Sequence, residues 1–215
     1  MAKECEGPKK PRITCTKFSP YIVSDIPKLL DCSGNELPVK VLFSLCRCGE
    51  SKKMPYCDGT HSEKGIKAFK CPDRIPDRNK NYYGSDIIVH FNYGVCSHDG
   101  SCLKLKPVFD RHRRPWILPN LGNKDEIIET IKKCPSGALS YTLDGVRYQD
   151  LDREPVIKVA KGGPLMIEGK IEFKDDENSC PESKEHYCLC RCGGSKNHPF
   201  CDGAHLNNGF WEAGK

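Results

Sequence analysis

Apolar residues in this chain fall in short runs separated by turn-forming residues. SPYIVSDIPKLLD (19–31) and GGPLMIEGKIEFKDD (162–176) each read as strands. A polar turn follows each, CSGNELP in the first stretch and DENSCPES in the second. A further short run, VKVLFSL or KEHYCL, completes each block. The two blocks are one pattern written twice at an offset of 144 residues, from about Pro20 to Ala68 and from Pro164 to Glu212. Each predicts strand, turn, strand, loop, short helix. Residues 1 to about 18 are rich in proline and lysine and predict irregular structure. Between the repeats the pattern changes. Ile87–Phe91 predicts a strand, and a helix begins near Lys124 with Asn123 as its N-cap and Glu126 completing a capping box. Ile127, Ile128 and Ile131 give that helix an apolar face, and Cys134-Pro135 stops it. SGALSYTLDGVRY predicts two strands joined by an Asp-Gly turn. The fold class is α+β, with two small β-rich units (12–80 and 151–215) flanking a separate α+β segment (81–150). A unit of some fifty residues buries little core alone, so the two copies are expected to pair within the chain as a pseudo-dimer.

The loops of the repeat carry the chemistry. Cys46–His61 reads CRCGESKKMPYCDGTH and Cys190–His205 reads CRCGGSKNHPFCDGAH, identical at eleven of sixteen positions with the spacing C-x-C-x8-C-x3-H. Three thiols and an imidazole at fixed intervals make a four-donor metal site. Cys46 and Cys48 are placed to grip one ion together. Cys57 and His61, four apart, share a face if they lie on one helical turn. Asp58 and Asp202 read as helix caps. Two donor pairs suit two irons bridged by sulfides; they also suit one zinc, which accepts Cys3His ligation.

The sixteen-residue stretch resembles the CDGSH iron–sulfur family, with Thr60 and Ala204 in place of the motif's serine. The resemblance implies that Cys46, Cys48, Cys57 and His61 bind one [2Fe–2S] cluster, and that Cys190, Cys192, Cys201 and His205 bind a second. It implies a small β-rich cradle made by paired units. The serine replacements touch no ligand and are expected to adjust only the surroundings.

The middle segment has its own cysteine pattern. Cys96-x5-Cys102 with a distant Cys134-Pro135 is the skeleton of a single-cluster ferredoxin site. CPSGAL resembles the divergent mono-cluster ferredoxin type. Asp99 stands where a [4Fe–4S] ferredoxin has its second cysteine, and His98 is a second candidate for the fourth ligand. Carboxylate ligation by Asp99 implies a [4Fe–4S] cluster; three cysteines alone imply [3Fe–4S].

Composition narrows the setting. The fifteen cysteines are an odd number and follow no apolar leader, which fits thiolate metal sites in a reducing cytoplasm better than a disulfide scaffold. Nine are assigned as ligands, and Cys5, Cys15, Cys32, Cys71, Cys180 and Cys188 are expected to be reduced and structural. No apolar run reaches the ~20 residues of a membrane span. The formal charge of +5 is offset by bound clusters, and the lysines read as a solvated surface rather than a nucleic-acid site. Lys52, Lys196, Arg47 and Arg191 flank ligands as solvated charges or as contacts to the cluster surroundings or to an acidic partner. Trp116 and Trp211 read as packing residues.

The expected function is electron transfer by a monomer or weak oligomer to a redox partner, with no catalytic residue and no metallohydrolase or phosphate-loop signature. Histidine ligation is expected to raise the potential of the duplicated sites and to make them labile as pH falls towards about 6. The competing expectation is an iron–sulfur cluster donor or iron sensor that hands clusters to an apo-protein. A zinc-stabilised interaction module is the third.

Overall fold

The structure is a computed structural model that describes residues 10–210. In chain order the first repeat contains β1 (Arg12–Cys15), β2 (Tyr21–Ser24), β3 (Leu29–Leu30), β4 (Leu42–Leu45) and α1 (Thr60–Glu63). The middle segment contains β5 (Asn79–Tyr83), β6 (Ile88–Asn92), α2 (Lys124–Lys132), β7 (Leu139–Leu143) and β8 (Val146–Tyr148). The second repeat contains β9 (Val156–Val159), β10 (Leu165–Glu168), β11 (Glu172–Asp175), β12 (His186–Leu189) and a 3-10 turn, Ala204–Leu206. Cys5, Trp211 and Glu212 lie outside the described residues. No helix among the described residues is long and apolar enough to cross a membrane.

The repeats interlock. One sheet runs β11-β1-β2-β4 and the other β12-β10-β9-β3, so each takes three strands from one repeat and the fourth from the other. The donated strands lie parallel to their new neighbours, with Arg12 opposite Glu172 and Leu29 opposite Ile157. Period-two patterning explains the arrangement. Tyr21 and Val23 point inward from β2 and Leu165 and Ile167 from β10, and all four are fully buried in one shared core with Ile13, Leu29, Leu45, Ile157 and Leu189. Each such side chain contributes about 1.5–3 kcal/mol of burial. The expected pseudo-dimer is therefore formed within the chain.

The stretch expected to be irregular contains β1. Its four residues, Arg12–Cys15, are too few to show a period, yet Ile13 and Cys15 alternate inward. Two partners, β2 and the distant β11, supply the pairing.

The middle segment is a four-stranded antiparallel sheet, β5-β6-β7-β8, with α2 packed on one face through Ile127 and Ile131. Asn123 Oδ1 caps α2 by accepting from the Asp125 N–H at 2.8 Å. Asp144 and Gly145 both have positive φ, 48° and 79°, as a two-residue hairpin turn requires. Trp116 packs edge-on against Phe91, as expected of a core residue. Strand β5 starts at Asn79 and so crosses the 80/81 boundary drawn from the sequence.

Candidate metal centres

Each duplicated loop brings its donors together as two close pairs. Cys46 Sγ and Cys48 Sγ are 3.8 Å apart, and Cys57 Sγ lies 3.3 Å from His61 Nδ1. In the second copy the distances are 3.7 Å for Cys190–Cys192 and 3.5 Å for Cys201–His205. The Cys57–His61 pair does not form on a helical turn as expected. Helix α1 starts only at Thr60, and left-handed Gly59 folds Cys57 back towards it. Asp58 explains the shape of this loop. One carboxylate oxygen accepts from the Thr60 N–H and hydroxyl, the other from the Lys52 N–H at 2.8 Å. Asp202 repeats this with the Ala204 and Lys196 N–H groups, lacking only the hydroxyl bond because residue 204 is alanine. The replaced motif serine thus touches a supporting carboxylate and no donor.

The donors are chemically prepared for a positive core. The Gly59 and Gly203 N–H groups donate to the sulfurs of Cys57 and Cys201, and the Gly194 N–H to Cys192. Within each Cys-x-Cys pair one thiol donates to the other. Hydrogen bonding from its partner brings Cys46 down to about 6, and likewise Cys192. Burial pushes the Cys57 and Cys201 thiols up. An iron core would supply the charge that holds all six as thiolates, so the residues present fit an iron–sulfur group.

The two loops meet back to back. Cys48 and Cys192 pair as an isolated antiparallel bridge. Gly49 and Gly193 are required there: both have positive φ, and a Cβ on Gly49 would sit 2.6 Å from the Cys192 carbonyl oxygen, with the reciprocal clash of Gly193 on Cys48. The Tyr21 hydroxyl donates across the repeats to the Cys190 carbonyl at 2.9 Å. Arg47 and Arg191 are buried, not solvated. Arg47 donates to the Thr16 and Ala68 carbonyls, Arg191 to those of Ala160 and Gly163. Each also faces the opposite repeat: Arg191 Nη1 lies 3.8 Å from Met54 Sδ, and the Arg47 charge acts on His198. Lys52 and Lys196 are exposed, and Lys196 pairs with Asp73.

Cys96, Cys102 and Cys134 of the middle segment are each half-buried. Burial and the neighbouring Cys134 push Cys96 and Cys102 up to about 12. Asp99 is exposed. Its Oδ2 accepts from both the backbone N–H and the hydroxyl of Ser101, which leaves Oδ1 without a partner among the described residues. His98 turns away. Its ring packs edge-on to Tyr93 and lies over Gly203, where any Cβ would collide with it.

That contact is one of several that dock the middle segment on the second repeat. Glu182 accepts from Asn79, Asn92 and Arg147, Asn197 Nδ2 donates to the Gly94 carbonyl at 2.9 Å, and Gly137 packs on Ser183 and the His186 carbonyl. Fully buried Cys188 hydrogen-bonds Ser97 and lies within electrostatic reach of both Cys201 and Cys134. The Cys201–His205 pair of the second duplicated site is buried, at 3% and 4% exposure, while Cys192 is half-buried like Cys48. Cys57 and His61 of the first site remain half-buried beside a cleft lined by Lys17, Arg47, Cys48 and Ala68.

Residues 19–62 and 162–206 match the family model for the iron-binding zinc finger of CDGSH type. The chain belongs to the CDGSH family. Between its two CDGSH copies, residues 82–144 match the model of a divergent 4Fe-4S mono-cluster domain. Relatives of this CDGSH chain include the uncharacterized protein YjdI of Escherichia coli K12 and that of Escherichia coli O157:H7. Each is 39% identical over 61 residues, which is 28% of this chain and 80% of the relative. No solved structure matches. The family matches make iron–sulfur binding the property of this chain.

Among the described residues every cysteine is unpaired. Tyr21 and the contacts of Gly49 with Cys192 and of Gly193 with Cys48 had no role in the sequence reading, and Cys188 is reduced and buried as expected.

Proposed function

We propose that this chain is an electron carrier in which two Cys3His [2Fe–2S] clusters and one ferredoxin-type cluster form a single relay. The observation that carries it is the division of each CDGSH donor set into two close pairs. A separation of about 3.8 Å is the edge of a tetrahedron around one metal with ~2.3 Å bonds to sulfur. Each pair thus suits one iron of a two-iron unit. A lone zinc needs all four donors around one point, and among the described residues no three His, Cys, Asp or Glu side chains gather that way.

In this reading Cys46 and Cys48 hold one iron and Cys57 and His61 the other, with Cys190, Cys192, Cys201 and His205 repeating the set. Cys96, Cys102 and Cys134 hold the middle cluster, and Asp99 Oδ1 is the oxygen free to close a fourth position. When bound, such clusters take up and release single electrons. The docking of the middle segment on the second repeat, and the Cys48–Cys192 bridge, support the order middle site, second CDGSH site, first CDGSH site. Burial of Cys201 and His205 keeps water from the central member.

The competing role, a cluster donor to an apo-protein, is favoured at one place only: the half-buried Cys57 and His61 beside their cleft. Iron and acid-labile sulfide analysis tests the cofactor content, with about seven or eight irons per chain expected. Redox titration followed by electron paramagnetic resonance then tests the relay. Colourless protein with one zinc per motif refutes it. Stoichiometric loss of one [2Fe–2S] unit to apo-ferredoxin, without electron exchange, selects the donor role.

A further inference from the structure

The internal symmetry of the chain is broken at one face. In the second repeat residues 182–186 read ESKEH, and the middle segment lies against them. Glu185 and His186 are buried there, with Arg153 gripping Glu185 through bonds of 2.9 and 2.7 Å. The residues 144 positions earlier read PVKVL. They end on β4, the edge strand of its sheet, and nothing in the described chain covers them. Val41 is 75% exposed, Leu42 62% and Val39 37%. Polar residues are buried where the symmetric position exposes apolar ones. Gly59 repeats the contrast: a Cβ there meets nothing within 4 Å, while its counterpart Gly203 lies under His98. An exposed apolar run on a sheet edge is a liability unless a partner uses it.

We infer that this face is the docking site of a separate, acidic electron-transfer protein, which takes on the first CDGSH unit the place that the middle segment takes on the second. Three observations carry it. The same surface of the other repeat is already an interface within this chain, so its shape suits a protein. The patch adjoins the first metal loop, because Tyr56 of that loop donates to the Pro38 carbonyl and packs on Phe43. Basic residues accompany it: Lys40 lies within the run, and Lys52 and Lys53 lie on the metal loop that carries Tyr56; all three are exposed and, among the described residues, form no ion pair. An apolar run accompanied by unpaired ammonium groups fits an apolar patch accompanied by carboxylates. The inference rests on the relay reading and adds where the relay ends: an electron leaves or enters through the half-buried first site.

The test is binding of an oxidised acidic plant-type [2Fe–2S] ferredoxin to the cluster-loaded chain by titration calorimetry. The Val41→Glu, Leu42→His double variant restores the residue types of the second repeat on an exposed strand. The expected result is at least tenfold weaker binding by this variant. Val146→Glu, at an exposed apolar position on β8, should bind like the wild type, and added salt should weaken the wild type. Equal binding by wild type and double variant, including none by either, overturns the inference. So does a wild type that sediments as a dimer while the double variant is a monomer, which assigns the face to a second copy. Binding is read without electron flow, so its failure is distinct from failure of the relay, which shows as no bleaching by dithionite.

Discussion

Cys48 and Cys192 face each other across an antiparallel bridge, each with its carbonyl against the glycine that follows the other. Two metal loops are thereby held in one rigid contact, and neither loop can move without the other.

Gly193→Ala should damage both halves at once. Its φ of 74° is strained for alanine, and the added methyl meets the Cys48 carbonyl. A loss of about 2–4 kcal/mol is expected from strain and displacement together. Gly65→Ala, at φ 61° with nothing within 4 Å, should lose only about 1–2 kcal/mol. Thermal unfolding followed by circular dichroism, with visible absorbance in parallel, measures both. Equal melting temperatures for the two variants would refute the cross-loop contact.

Stability should fall on mild acidification through His198. Burial, then the Arg47 charge, pulls this imidazole down to about 4, against the partial opposition of its hydrogen bond to the Gly193 carbonyl and of Asp202. The folded state thus binds fewer protons than the unfolded state below about pH 6.5, so stability drops as pH falls from there towards about 4. The full loss is about 3 kcal/mol. Methionine stands at the equivalent position 54, so His198→Met should fit and flatten this slope. Urea unfolding at several pH values checks it; parallel slopes for both proteins would contradict the assignment.

Asp99 should decide the middle cluster. Asp99→Ala is expected to leave three irons there, with the resonance of an oxidised [3Fe–4S] centre, and Asp99→Cys to give [4Fe–4S]. Spectra of both variants identical to wild type would exclude Asp99 as a ligand.

The two CDGSH sites should yield to a chelator at different rates. With His205 at 4% exposure and His61 half-buried, bathophenanthroline at neutral pH should remove iron in two phases, the fast one from the first site. Gly203→Ala displaces His98 and should speed the slow phase, whereas Gly59→Ala has no such neighbour to displace. A single phase in the wild type would refute the asymmetry.

Local spacing made the donors legible. C-x-C-x8-C-x3-H names its residues without reference to anything distant, and the pairs Cys46–Cys48 and Cys57–His61 are close as read. Strands β2, β3, β10 and β11 were legible because their apolar runs are bounded by turns. Strand β1 was not, since its pairing comes from β11 through partners such as Arg12 and Glu172, 160 positions apart. The burial of Arg47 and Arg191 was equally hidden. Beside a metal loop a guanidinium reads as solvated, and only the fold shows the carbonyls it satisfies. The docking of the middle segment on one repeat turned on residues outside every motif, Glu182 and Cys188 among them.

The exchanged strands bear on how the chain is made. During synthesis β1 emerges long before β11, so the first sheet waits, one edge open, for a segment not yet translated. Cutting the gene between the repeats would leave two fragments, each missing the strand it borrows and holding unpaired the strand it lends. The duplicated halves have become a single cooperative body, and the ribosome must finish the second before the first can close.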